Sequence, residues 1–296
     1  MKNHNIIFYL VLSVAMFGCE TVVDVDLPIE RPSVVVNANF SHDSIPVAKV
    51  VFSKHILDNS NEYLPIKDAT VLLSDGQNQV PLFFNEEEGI YSNTNVVINE
   101  GRRYTLDVDV PGYDRVTGTD SIPVSVELRD VIYEGENYID EWDQQQNITL
   151  VFNDPPGENY FLVKAISSFE SKYVDTEGDS VFYKNVHYVD LEAKNPVYQH
   201  EFSNYYSVMF DDKLFEGEEV RFDLVSSGSS FGEDSESAVD VYLYSVSKAY
   251  YEFYTTYGLQ NWNADDPFAQ PVQVFTNIQG GLGIITGRSS SVFKYR

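Results

Sequence analysis

The sequence predicts a mainly β protein: an N-terminal β-sandwich, then a second, larger all-β domain with one short helix near its C-terminal end. Three observations carry this. Tyr104, Leu106, Val108 and Val110 alternate with Thr105, Asp107 and Asp109, the period of a strand with one wet face. Turn signals at Ser74-Asp75-Gly76, Glu88-Gly89, Glu100-Gly101 and Pro111-Gly112 recur at intervals of about ten residues, as in a sandwich. The 21 tyrosines and 19 phenylalanines among 296 residues favour strands over helices.

In chain order, the first feature is apolar. Residues 6–17 form a run of twelve, apolar except for Tyr9 and Ser13, after Lys2 and His4. A membrane-spanning helix needs about 20 residues, so this run fits the core of a signal peptide. Gly18 and Cys19 follow directly. Met16-Phe17-Gly18-Cys19 resembles a bacterial lipobox, with Phe17 a departure from the small residue commoner there. The resemblance implies that residues 1–18 are removed and that Cys19 carries a diacylglycerol and an acylated amino terminus. Several acyl chains anchor stably where one binds marginally. Asp directly after the cysteine favours inner-membrane retention and Glu20 is a weaker signal, so the expected location is the outer membrane. Asp24, Asp26 and Glu30 make residues 19–32 an acidic tether. Acidic clusters here direct some Bacteroidota lipoproteins to the cell surface, so a surface location is expected over a periplasmic one.

Residues 33–121 read as a β-sandwich able to fold alone, with strands near 33–40, 46–54, 67–74, 78–85, 95–98, 102–110 and 114–120. Within it, Ile66, Ala69 and Val71 precede Gly89-Ile90-Tyr91 and Gly101-Arg102-Arg103-Tyr104-Thr105-Leu106. This pattern resembles the carboxypeptidase-regulatory or transthyretin-like sandwich, an immunoglobulin-like architecture. The resemblance implies a structural or docking module without catalytic residues.

Residues 122–296 form the second region. Strands are expected at 124–133, 147–152, 160–168, 181–191 and 220–225. Val239, Val241 and Leu243 mark another. Ser247 is a helix N-cap for residues 247–258, which could run on to Trp262. Tyr250, Phe253, Tyr254 and Tyr257 fall at helical spacing, and such a stripe is expected to face the core. Gly280, Gly281, Gly283 and Gly287 read as a turn between two late strands, because no Gly-Lys-Ser/Thr enters a helix there.

Charge narrows function. With 46 acidic against 19 basic residues, the net charge is −27; a polyanion is repelled by nucleic-acid backbones and by anionic membrane surfaces. Cys19 is the only cysteine, which rules out an internal disulfide and a four-thiolate zinc site. His42, His55, His187 and His200 show no metal-binding spacing, and no Gly-x-Ser-x-Gly elbow occurs. No catalytic residue and no cofactor is expected. Asp175, Glu177 and Asp179, and separately Asp265 and Asp266, could supply calcium with oxygen ligands, or stand as solvated acidic loops. Ser44, Ser121 and Ser180 each follow Asp and precede Ile or Val. This matches the O-glycosylation sequon of exported Bacteroidota proteins, and Ser121, at the domain junction, is expected to be exposed.

The stretch Ser247-Lys-Ala-Tyr250-Tyr251-Glu-Phe253, followed by Pro271 to Ile284 with Thr276-Asn277-Ile278-Gln-Gly280-Gly281-Leu282-Gly283, carries a further resemblance. With the lipobox and the sandwich, it resembles a Bacteroidota outer-membrane lipoprotein family of unknown function, often encoded beside TonB-dependent receptors. Ile285 stands where the family commonly has an aromatic. The resemblance implies a non-enzymatic accessory or ligand-binding partner of a TonB-dependent transporter. The rivals are a structural or adhesive surface lipoprotein and a hydrolase of an extracellular polymer. Tyr251 and Trp262 are the expected partner anchors, because aromatic side chains bury much area at low entropic cost.

Overall fold

The structure, a computed structural model, describes residues 31–55, 58, 60, 62–138, 144–174, 179–199, 206–227, 230–231, 238–264 and 268–296. Cys19, the tether as far as residue 30, Asp175, Glu177, His200, Asp265 and Asp266 lie outside the described residues. The fold is mainly β, and the one α-helix among the described residues lies near the C-terminal end.

The first strands are β1 (Val34–Ser41), β2 (Val47–Phe52), β3 (Thr70–Ser74), β4 (Gln79–Asn85), β5 (Ile90–Ser92), β6 (Arg103–Asp109) and β7 (Val116–Ser121). Alternation decides which side each residue takes. In β6, Tyr104, Leu106 and Val108 are buried while their neighbours face water or the rim. β4 pairs with β3 through residues 79–82 and with β5 through residues 83–85, so it turns the corner between two layers. Phe40, Leu73, Tyr91, Tyr104 and Leu106 fill the space between. The Tyr91 hydroxyl donates to the Ile66 carbonyl at 2.8 Å and accepts from the Ala69 amide at 3.0 Å, which ties the loop before β3 to the core.

One strand is misplaced by the sequence reading. Residues 95–98 form no strand, and the pairing segment is β5. Val96, Val97 and Ile98 look like a strand because they are β-branched. Asn93 instead accepts the Asn95 amide at 3.0 Å, an Asx turn that takes the backbone out of the ladder. Only Ile98 of the three is buried.

The remaining elements are β8 (Leu128–Tyr138), β9 (Gln144–Asn153), β10 (Tyr160–Val174), β11 (Ser180–Tyr188), β12 (Leu191–Ala193), a 3-10 turn (Pro196–Tyr198), β13 (Val208–Asp211), β14 (Glu219–Ser227), β15 (Ala238–Val246), α1 (Lys248–Asn263), β16 (Ile278–Gln279) and β17 (Leu282–Tyr295). The strand expected at 124–133 begins only at Leu128, and the one expected at 181–191 is two strands in different sheets. β12, β14, β9 and β8 form a four-stranded sheet. The larger core lies between it and β10, β13 and β15, with Phe152, Phe161, Phe210 and Phe222 at its centre. Phe210 and Phe222 stack at 4.0 Å.

β17 joins the two ends of the chain. Its first half runs parallel to β1, from Leu282 beside Val35 to Arg288 beside Ser41. Its second half runs antiparallel to β15, from Arg288 beside Val246 to Tyr295 beside Val239. One 13-stranded sheet results. The smaller core therefore takes Ile278 and Ile285 from the C-terminal end, and β16 pairs with β7. The glycine-rich segment is a turn into this strand, as its composition predicts. Gly283 has φ +109° and its Cα abuts the Val36 carbonyl, so a Cβ would have no room there.

Candidate functional site

The candidate site is built by strand alternation in β10. Phe161, Val163 and Ala165 point into the larger core, so Tyr160, Leu162, Lys164 and Ile166 point to the opposite face. Register extends that face across the sheet. Lys164 lies beside Tyr242 and Leu162 beside Tyr244. Tyr242 then lies beside Val292, Tyr244 beside Ser290 and Val246 beside Arg288.

Helix α1 covers one end of this face. Ser247 accepts the Tyr250 amide at 3.1 Å, the expected N-cap. Tyr250 packs with Tyr160, Leu162 and Val246 as a small separate core. The rows beyond it present tyrosines and cations, Lys164 and Arg288 among them. The Tyr242 and Tyr244 rings stack at 5.9 Å. The Arg288 guanidinium sits 5.0 Å from the centre of the Tyr244 ring. Lys164 is half-buried; burial pushes its ammonium below the ordinary lysine range, and Arg288 adds to the shift. Neither cation forms an ion pair with a described residue, and Arg288 Nε has no hydrogen-bond partner. Two acids of the neighbouring segments are already engaged. Asp43 accepts from Ser41 and from Ser290 Oγ at 3.1 Å, and Asp240 is 3.2 Å from Arg296.

The same face continues onto β11, the terminal strand of the long sheet. Phe182, Val186 and Tyr188 lie on it beside Lys172, Ser168 and Ile166, and Phe182 is 65% exposed. Tyr188 also meets Tyr206 at 6.0 Å. On the other side of the hairpin, Tyr173 and Tyr183 pair at 5.8 Å, both exposed. The hairpin thus presents exposed apolar and aromatic side chains on both sides, among polar and charged neighbours.

Beneath the helix start lies a half-buried carboxyl. Asp120 accepts the Gly287 amide at 2.7 Å and bonds to Ser247. Burial pushes it up to about 6, against those hydrogen bonds. A pair of acids elsewhere knits two loops. Asp154 accepts the Gly217 amide at 2.7 Å, and Asp212 accepts the Asn159 amide at 2.7 Å. Burial, then Asp212 and Glu216, hold Asp154 above the usual carboxylate range.

The residues singled out from sequence are scattered. Tyr251 is half-buried, with its ring 4.7 Å from that of Tyr160. Trp262, in the last turn of α1, is 58% exposed. The helix runs past Gly258 to Asn263. Its aromatic stripe is only partly core: Tyr250 is buried, whereas Tyr254 and Tyr257 are exposed. The helix lies over the end of the sheet, so only its first turns find strands beneath them. Ser44 lies exposed in a turn and Ser180 exposed at the start of β11. Ser121 is half-buried, contrary to expectation, because β17 crosses it and Gly287 abuts its carbonyl. Asp179 is exposed, and among the described residues no group of three or more His, Cys, Asp or Glu is placed to hold a metal ion. His42 approaches Glu100 at 3.4 Å and His187 packs edge-on against Phe169. The face around Lys164 was missed. Its signal was one lysine at an outward position of an otherwise apolar run, Tyr160 to Ile166.

Residues 20–293 match a family described as a domain of unknown function, DUF4249. The chain belongs to the DUF4249 family. No curated protein matches it. The DUF4249 match spans the buried residues of both cores and all but the last two residues of β17, so the tyrosine face lies within the family's own domain.

Proposed function

We propose that this DUF4249 protein is a non-enzymatic outer-membrane lipoprotein, anchored through Cys19, that serves a TonB-dependent transporter as an accessory or ligand-binding partner. The observation that carries the reading is the apolar hairpin of β10 and β11. Tyr173, Phe182, Tyr183, Val186 and Tyr188 are all exposed on one protruding element, and apolar surface of this kind marks interaction sites. Aromatic side chains are the residue type enriched at such interfaces. The lipobox resemblance supports a membrane location, and the resemblance of the C-terminal motif to a receptor-associated family supports this class of partner.

Two variants test it. Cys19→Ala should move the protein from the membrane fraction to the soluble fraction; retention through a detergent-free salt wash would refute the anchor. Phe182→Ser with Tyr188→Ser changes only exposed side chains, so melting should be unchanged. Purification from native membranes should recover a TonB-dependent receptor with the wild-type chain and lose it with this variant. A receptor absent from the wild-type preparation would overturn the partnership.

A further inference from the structure

Strand β11 ends the long sheet, and among the described residues no strand pairs with its outer edge. Register decides which backbone groups that edge presents. The Val189 amide donates to the Ala165 carbonyl at 2.9 Å, and this pair continues the ladder that sets Tyr188 beside Ile166. In an antiparallel ladder, residues that exchange backbone bonds alternate with residues that do not. Val181, Tyr183, Asn185 and His187 therefore turn their N–H and C=O groups towards β10, and Phe182, Lys184 and Val186 turn theirs outward. Side chains at this edge are exposed on both faces, Phe182, Lys184 and Val186 on one and Tyr183 on the other. The first of these faces continues across β10, β15 and β17. Five cations, Lys164, Lys172, Lys184, Arg288 and Lys294, stand on it against two acids, Glu170 and Asp240. Asp43 and Arg296 reach it from a turn and from the chain end, one of each sign. The face is thus net basic in a chain with 46 acidic and 19 basic residues.

We propose that the outer edge of β11 receives an extended strand of a partner protein, one that sets an acidic residue beside Lys184 and apolar residues beside Phe182 and Val186. Strand addition takes its affinity from backbone bonds and its specificity from alternate side chains. The outward groups of Phe182, Lys184 and Val186 supply the first. The two-residue period supplies the second, because a strand with an acid at the Lys184 position presents its residues two places away to Phe182 and Val186. Glu170 stands beside Lys184 on β10, so the completed row alternates in sign: acid, base, acid. The Lys172 ammonium, 5.7 Å from the centre of the Phe182 ring, keeps the next row positive. A lysine in an edge strand turns away strands in general and admits one of opposite charge, which makes the edge selective. A second copy fits less well: antiparallel edge-to-edge pairing would continue the sheet with the same cation-rich face, like against like. The inference rests on the partnership proposed above only for the source of the strand.

The test titrates the purified full chain with a synthetic peptide, valine-threonine-glutamate-threonine-valine flanked by threonines, and with the same peptide carrying lysine for glutamate. The glutamate peptide should bind about fivefold tighter, through a cross-strand charge pair gained and a repulsion avoided. Hydrogen exchange should show new protection at the amides of Phe182, Lys184 and Val186, where those of Tyr183 and Asn185 are protected beforehand. Lys184→Glu changes an exposed side chain and should reverse the preference. Val186→Pro removes one outward N–H and no ladder bond, so it should melt cooperatively and bind neither peptide. Equal binding of the two peptides, binding of neither, or a preference unchanged in Lys184→Glu would overturn the proposal. So would a peptide-free chain that sediments as a dimer which Val186→Pro dissolves, since the edge would then belong to a second copy. If the glutamate peptide binds as expected but the wild-type chain recovers no receptor from native membranes, the partnership fails and the edge stands. If the receptor is recovered equally with Val186→Pro and neither peptide binds, the edge fails and the partnership stands.

Discussion

At the scale of single residues, Asp120 shows how a half-buried charged group is both a constraint and a cost. It receives the Gly287 amide and bonds to Ser247, so β7, β17 and the start of α1 meet at one carboxyl. Its ordinary value of 3.8 is raised to about 6, by burial first. The sign of the effect on stability follows. Between about pH 4 and pH 6 the folded chain holds a proton that the unfolded chain releases, so stability falls as pH rises through this window and the whole cost remains above it. The shift corresponds to something on the order of 3 kcal/mol at neutral pH. Asp120→Asn keeps the acceptor for Gly287 and has no charge to bury. It should therefore be at least as stable as wild type at pH 7, with the difference shrinking towards pH 4, as read by chemical denaturation at both values. A loss of similar size at both would mean that the carboxylate is a net stabiliser. Asp120 was not legible in the sequence, where it is one acid of 46. Tyr104 was: its inward position follows from alternation alone, and its burial with Leu106 and Val108 confirms the register.

At the scale of elements, helix α1 separates two aromatic roles that the sequence presents alike. Ser247 caps the helix, and the first turns rest on β10 and β15. Tyr251 stacks near Tyr160 in that contact, whereas Trp262 projects from the last turn. Tyr251→Ala should cost about 2–4 kcal/mol in chemical denaturation, somewhat less than a fully buried aromatic. Trp262→Ala should stay within about 0.5 kcal/mol, as exposed substitutions do. Comparable losses at both positions would mean that the last turn is packed as tightly as the first. Of the two residues, Trp262 is the one whose substitution can report on a partner without first disturbing the fold. The hairpin of β10 and β11 has the same lesson. Val181 to Tyr188 looks like a buried strand by composition, because apolar residues stand on both faces. In the fold it is the terminal strand of the long sheet, and most of its residues are exposed.

At the scale of the whole molecule, β17 is the strand on which both cores close. Ile285 belongs to the smaller core, Phe293 and Tyr295 pack against the larger, and Arg288 marks the crossing between β1 and β15. Truncation after Gln279 removes the whole strand. It leaves β1 and β15 with unpaired edges facing each other across a gap, which exposes backbone groups and apolar surface together. The expected outcome is loss of cooperative melting by circular dichroism and near-ultraviolet signal from both halves. A truncated chain that retains one sharp transition with most of its β signal would show that one core closes without β17. The sandwich expected over residues 33–121 is subject to the same argument. As an isolated fragment it lacks Ile278, Ile285 and the flanking β16 and β17, so it should melt below the same segment within the full chain.

By itself the sequence determined the β class, the positions of most strands, the inward register of β6, the cap at Ser247 and the glycine turn before β17. All of these rest on local physics: the two-residue period of a pleated strand, the capping of unpaired amides, and backbone conformations open to glycine. Only the tertiary structure decided that the last strand lies beside the first. It likewise decided that Ser121 is half-buried, that the hairpin forms the end of the long sheet, and that Lys164 and Arg288 share a face. Those facts depend on which strands pair across more than a hundred residues of chain, as Leu282 does with Val35. Parallel and antiparallel neighbours are chosen by the total surface buried and the backbone bonds completed, and no short window of sequence carries that sum.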